Sequence, residues 1–201
     1  MIHILHHIFP NELGKKIAKE QFERIEKKIK KPYNYIENNV GLSGNELNTY
    51  KLLMQNCLNS FELDDVVLFI HTKGATRDNL IKREWREYLE RELIDDYEYH
   101  IDKLYLGFDT SGVLMGIPHW SENFYPGNFW WAKVDFLNKI DKKCEWRMEN
   151  RWYAENGFFH SIKKWNPFSK PTTNFDKLDN FYMYIKDQEL LFNKIEKTRL
   201  I

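Results

Sequence analysis

Val66-Val67-Leu68-Phe69-Ile70, followed by His71-Thr72-Lys73-Gly74, is the stretch on which the reading of this chain turns. Five apolar residues in a row, three of them β-branched, fit a strand buried on both faces, as found inside an α/β sheet. The polar residues and glycine behind it mark the strand's carboxyl end. Open α/β sheets bind their ligands at such ends, near where the strand order reverses.

Upstream, Ile2 to Ile8 is apolar and β-prone and ends at Phe9-Pro10, which predicts a first strand. From Gly14 to Lys31, Ile17, Phe22, Ile25 and Ile29 recur among Lys and Glu, the pattern of an amphipathic helix. Pro32 stops it, and Tyr33 to Ile36 reads as a short second strand. Gly41 and Gly44 mark a turn, with Ser43 or Asn45 as N-cap candidates. Leu47, Tyr50, Met54, Cys57 and Leu58 then share one helical face.

Downstream, Trp85, Leu89, Leu93, Tyr97 and Ile101 fall four apart, with Leu104 three later, predicting one long helix with a buried stripe. Ser111-Gly112 reads as a turn before Val113 to Met115. Pro118 to Asn128 reads as a loop, Trp130 to Ile140 as helix, Trp165 to Asn174 as a second loop, and Gln188 to Lys197 as a terminal amphipathic helix. Strands separated by helices predict an α/β fold with a largely parallel sheet, Met1–Ile8 and Val66–Ile70 being inner neighbours.

The 201 residues are one domain's worth, so residues 1–201 are expected to form a single domain. Lys plus Arg equals Asp plus Glu at 30 each, which argues against a general nucleic-acid binder. No apolar run approaches the length of a membrane span, and the start is too short and His-rich for a signal peptide. Cys57 and Cys144 sit in no ligand-like spacing, as expected of reduced thiols, and cytoplasmic residence is the default expectation. Peripheral membrane contact stays open.

Three segments carry residues suited to chemistry. At Val66–Gly74, a glycine lets backbone amides approach a diphosphate, Lys73 and Arg77 supply positive charge, and Thr72 and Thr76 supply hydroxyls. An ordinary strand-to-helix turn with solvated cations would look the same. Gly127-Asn128-Phe129-Trp130-Trp131-Ala132-Lys133 mixes indoles, an amide and a cation, as a sugar-binding surface does, and equally suits core packing. In Trp146–Asn156, Glu149 and Glu155 are carboxylates able to deprotonate an acceptor hydroxyl, or simply charges on a helix. Asp109, beside a turn, is a further acid. His6 and His7 at the end of the first strand are candidate contacts for a nucleotide base, without zinc-site spacing.

Taken together, Ile-His-Thr-Lys-Gly at 70–74 and Gly-Asn-Phe-Trp-Trp-Ala-Lys at 127–133 resemble a family of small glycosyltransferase domains. That family occurs in bacterial surface-polysaccharide clusters and large DNA viruses. The resemblance runs from about Val66 to Glu155. It implies a GT-A-like, Rossmann-type sandwich that takes a nucleoside-diphosphate-sugar donor and a saccharide or lipid-linked saccharide acceptor. His71, Thr72, Lys73, Gly74 and Arg77 would hold the donor, Gly127, Asn128, Trp130 and Trp131 the acceptor. Glu149 matches in order and distance the base of inverting relatives.

Two departures stand out. His119-Trp120-Ser121 lies a few residues ahead of its expected place before Gly127. His71-Thr72-Lys73 stands where GT-A enzymes carry Asp-x-Asp for a divalent metal, Mn or Mg. Either Lys73 and Arg77 balance the diphosphate, or a single acid such as Asp109 holds a metal. A non-catalytic carbohydrate-binding domain is the alternative, and a nucleotide hydrolase or nuclease using His71 is disfavoured by the lack of an acidic metal cluster.

Overall fold

The structure is a computed structural model that describes residues 1–39, 46–54, 58–76, 79–112 and 128–139. Its element order is β1 (Ile2–His7), α1 (Glu12–Lys28), β2 (Tyr33–Asn38), α2 (Leu47–Leu52), β3 (Val66–His71), α3 (Leu80–Glu90), α4 (Tyr97–Tyr105), β4 (Thr110–Gly112), β5 (Trp130–Lys133) and α5 (Val134–Lys139).

The five strands form one sheet in the order β2-β1-β3-β5-β4. β1 runs parallel to both β2 and β3, with Ile2 opposite Val66 and His7 opposite His71. β5 is antiparallel to β3 and to β4. The sheet is therefore mixed but mostly parallel, and the two strands expected inside it are its inner neighbours. All six residues of β1 and all six of β3 are buried, the property that the unbroken apolar run of β3 announces.

Strand alternation divides the core in two. Ile2, Ile4, Val66, Leu68, Ile70 and Trp131 face one side and pack on Ile25 and Ile29 around α1 and on Leu89, Leu93, Ile101 and Leu104 around α3 and α4. Leu5, Val67, Phe69, Trp130 and Ala132 face the other and pack on Tyr50, Leu53 and Met54 around α2 and on Phe136 and Leu137 of α5. Among the described residues no helix is long and apolar enough to cross a membrane.

Local structure departs from the sequence expectation at four places. The long helix is two helices joined by a wider π turn at Arg91–Asp95. Four-residue spacing drifts about 40° per step on a regular α-helix, and the wider turn takes up that drift, so Leu89, Leu93, Tyr97, Ile101 and Leu104 all stay buried. Phe22 leaves the buried stripe of α1 and sits 36% exposed, edge-on to Tyr35. Ser111-Gly112 pairs with Trp130 and Trp131 as strand, not turn. Trp130 to Lys133 is strand, with helix beginning only at Val134. Aromatic residues gain more from the sheet interior than from a local helix. Ser43, Asn45 and the segments from Val113 to Gly127 and beyond Lys139 lie outside the described residues.

Candidate functional site

From β1 the chain passes to β2 on one side and returns to β3 on the other, so its direction of travel across the sheet reverses between β1 and β3. The carboxyl ends of these two strands are therefore the switch point at which open α/β sheets bind ligands. His6 and His7 close β1 there, and Ile70 and His71 close β3.

The loops leaving both strands are tied together. Thr72 N–H donates to the His7 carbonyl (3.0 Å) and the Phe9 amide donates to Thr72 Oγ1 (2.8 Å). Asn11 caps α1 by accepting from Gly14 N–H (2.6 Å) while its amide donates to the Ala75 carbonyl (2.8 Å). A Cβ at position 14 would lie 2.1 Å from the Phe9 carbonyl oxygen, so only glycine fits. In the β3–α3 turn, Lys73 N–H donates to the His71 carbonyl (2.8 Å), and Gly74 takes φ +89°, a left-handed conformation natural to glycine. Arg86 Nη1, from α3, donates to the Lys73 carbonyl (3.2 Å). The turn is thus fixed from both sides, with Lys73 and Gly74 half-buried.

On the α2 face, the switch point carries a buried polar cluster. Glu46, immediately before α2, sets Oε1 3.1 Å from His71 Nδ1. Its Oε2 accepts from Asn128 Nδ2 at 2.6 Å. The Asn128 carbonyl oxygen in turn accepts from the Tyr50 hydroxyl and from Trp130 Nε1 (3.3 Å). Asn128 is buried and holds φ 56°, a left-handed conformation that Asn tolerates better than most residues. His7 Nδ1 pairs with Thr49 Oγ1 (2.7 Å), which also accepts from Asn38 Nδ2 (2.9 Å). Burial pushes the Glu46 carboxyl up, but His71, Lys73, the Asn128 amide and His7 outweigh it and leave the group below the ordinary carboxylate range.

On the opposite face His6 is enclosed. Its Nδ1 meets the Tyr35 hydroxyl (2.5 Å) and its Nε2 meets Gln21 Oε1 (2.7 Å). Gln21 Nε2 donates to Glu90 Oε1 (2.7 Å) and to the His71 carbonyl (3.2 Å). With the Gln21 oxygen so oriented, His6 carries its proton on Nε2 and accepts from Tyr35. Burial lowers His6 to about 3, against the Gln21 hydrogen bond. Arg86 Nε and Arg24 Nη1 approach Glu90 at 3.4 and 3.6 Å.

The structure therefore brings together His7, His71, Thr72, Lys73, Gly74 and Asn128, residues scattered over 120 positions of sequence. It turns the His6 ring to the opposite face of the sheet, enclosed by Tyr35 and Gln21 and closed to the nucleotide base it was expected to contact. It keeps Asp109 apart. The Asp109 carbonyl accepts from Lys133 N–H, and Lys133 lies opposite Val66, at the amino end of β3. Burial raises the Asp109 carboxyl, opposed by Lys139 and Lys133. Trp130 and Trp131 are both fully buried, on opposite faces of β5. Trp130 stacks on Phe69, and Trp131 Nε1 donates to the Leu93 carbonyl at 2.9 Å. Neither indole has a face free to stack on a sugar. Arg77, Gly127, Glu149 and Glu155 lie outside the described residues.

Glu46 and Arg86 were not legible as site residues. Glu46 precedes His71 by 25 positions with no shared periodicity, and Arg86 looks like one of many charges on an amphipathic helix. Among the described residues no three His, Cys, Asp or Glu side chains come together as a metal-binding group. At the switch point the Asn128 amide turns its nitrogen, not its oxygen, to Glu46.

Residues 3–175 match the model of a family described as a domain of unknown function (DUF8361). No curated protein and no solved structure matches the chain.

Proposed function

The chain belongs to the DUF8361 family, and we propose that it is a glycosyltransferase moving a sugar from a nucleoside-diphosphate donor to a saccharide acceptor. A GT-A-like, Rossmann-type sandwich is the fold this reading entails. The observation that supports it most is the β3–α3 turn: a glycine-containing, left-handed loop at the β1/β3 switch point, bearing Lys73 and braced by Arg86. Such a turn suits a diphosphate, whose charge needs fixed cations and close backbone approach. In this reading the nucleotide lies across the carboxyl ends of β1 and β3, and Lys73 stabilises the departing diphosphate. The surface-polysaccharide context and the inverting outcome come from the resemblance of the two sequence motifs alone.

The alternative, a sugar-binding module without catalysis, rested on an indole-lined surface. Trp130 and Trp131 support neither that surface nor the acceptor site that the resemblance assigns to them, since both rings are in the core.

Calorimetry with uridine, guanosine and cytidine diphosphates tests the reading. One of them is expected to bind, and Lys73→Ala to weaken it ten- to hundredfold, for the loss of a charge-assisted contact of roughly 1.5–3 kcal/mol. The fold should be unaffected. No binding of any diphosphate by the wild type would refute the reading.

A further inference from the structure

Two backbone carbonyls of the β3–α3 turn are held by side chains that meet at one buried carboxylate. Gln21 Nε2, from α1, donates to the His71 carbonyl (3.2 Å) and to Glu90 Oε1 (2.7 Å). Arg86 Nη1 donates to the Lys73 carbonyl (3.2 Å), and its Nε forms an ion pair with the same Glu90 oxygen at 3.4 Å. Glu90, Gln21 and His6 are all buried. A carbonyl only accepts, so the His71 contact fixes which way the Gln21 amide points. Its oxygen faces His6 Nε2 (2.7 Å), which donates, and His6 Nδ1 accepts from the Tyr35 hydroxyl. The hydrogen bonds therefore run one way, from Tyr35 through His6 and Gln21, and end on Glu90.

Among the described residues, the groups in contact with Glu90 are Gln21 Nε2, Arg86 and Arg24 (3.6 Å from Oε2), all of them donors. Protonated Glu90 finds an acceptor for its O–H only if the Gln21 amide turns over. Gln21 Oε1 then faces Glu90, Gln21 Nε2 donates to His6 Nε2, and His6 carries its proton on Nδ1. In that arrangement the His71 carbonyl meets an amide oxygen in place of a donor, and Arg86 stands beside a neutral acid. The added proton comes from water and stays on Glu90, while His6 keeps one proton throughout and exchanges only the nitrogen that carries it.

We propose that Glu90 is a positioning residue for the diphosphate turn: ionised, it holds the turn in its donor-binding form, and protonated, it reverses the Gln21–His6 chain and releases the turn. This rests on the donor reading above and adds its pH dependence. Burial pushes the Glu90 carboxyl up to about 7, against Gln21, Arg86 and Arg24 and with Glu87, so the change falls at neutral pH. The charged groups facing Glu90 are Arg86 and Glu87 of α3 and Arg24 of α1. Behind them, Asp95 of the π turn and Lys28 neighbour Arg24, and Glu20 lies 3.9 Å from Arg86. His6 of β1 stands behind Gln21, with His7 and His71 acting on it. Below about 7 Glu90 takes a proton and donor affinity falls; above it the affinity is full. By reciprocity a bound diphosphate pulls the Glu90 titration down.

Long-range proton–nitrogen spectra of the full wild-type chain, titrated through neutral pH, report which His6 nitrogen carries the proton. His6 itself stays neutral in this range, since burial lowers it to about 3. Nε2–H is expected above about 7 and Nδ1–H below it. The titration is repeated with a saturating amount of whichever of uridine, guanosine and cytidine diphosphates binds. The crossover should then move about one pH unit lower, which is a tenfold preference of the diphosphate for ionised Glu90. In calorimetry the wild type should lose about tenfold in affinity on acidification beyond the loss shown by Glu90→Gln, whose amide does not ionise. The titration of the diphosphate itself is common to both proteins. An Nε2–H tautomer that persists on both sides of neutrality overturns the reversal. A crossover that the diphosphate leaves in place overturns the coupling, with the donor reading intact. A wild type that binds no diphosphate at any pH overturns the donor reading and the coupling together.

Discussion

Asn128 is expected from its sequence context to contact a sugar, yet the fold makes it a buried hub, and its replacement tells these roles apart. Asn128→Ala removes one acceptor shared by the Tyr50 hydroxyl and Trp130 Nε1, and one donor to the Glu46 carboxylate. Two neutral hydrogen bonds at about 1 kcal/mol each and one to a charge at about 1.5–3 kcal/mol sum to roughly 3–5 kcal/mol. Alanine at φ 56° adds about 1 kcal/mol of backbone strain. The loss would approach the whole stability of a marginal domain, which is on the order of 5–15 kcal/mol. Equilibrium unfolding in urea, monitored by Trp fluorescence, measures it. Asn128→Gly isolates the backbone part, since it loses the same side-chain bonds without the strain, and should be about 1 kcal/mol less damaging than alanine. Asn128→Asp keeps the acceptor but sets a carboxylate against Glu46, so its penalty should grow as pH rises through its titration. A surface sugar contact would change stability by less than about 0.5 kcal/mol. A loss that small in Asn128→Ala would refute the hub.

Trp130→Ala and Trp131→Ala should each cost roughly 3–5 kcal/mol in denaturant melts, because both side chains are fully buried. If either variant proves as stable as wild type, that indole is not core. Gly74→Ala forces a side chain into φ +89° and sets its Cβ 3.3 Å from Lys82 Cβ. It should cost about 1–2 kcal/mol and weaken diphosphate binding in calorimetry, and unchanged affinity would detach the turn from the donor. His6, lowered to about 3 against 6.5 for the unfolded chain, contributes stability present above 6.5 and lost as pH falls. Between those values the unfolded chain binds the proton that the folded chain refuses, at about 1.4 kcal/mol per pH unit. Wild type should therefore lose stability to acid more steeply than His6→Gln. Parallel pH profiles would show that His6 protonates in place.

The five-residue apolar run at Val66, the helical periodicity from Ile17 to Ile29 and the β-prone start at Ile2 were enough to announce an α/β chain with two inner parallel strands. These are local signals, set by which side chains must leave water and at what period. The Lys73-Gly74 turn was legible for the same reason, since a glycine after a buried strand marks where the backbone can turn through conformations that other residues avoid. Only the tertiary structure decided that Trp130 and Trp131 go inward on opposite faces. A strand alternates its side chains whatever their chemistry, and both faces of this sheet are covered. It alone set Asp109 at the amino end of β3, a matter of strand register that composition does not encode. And it alone brought Glu46 to His71 and Arg86 to the Lys73 carbonyl. Those contacts join residues from different elements, whose meeting depends on how helices dock across the sheet, and no spacing along the chain carries that information.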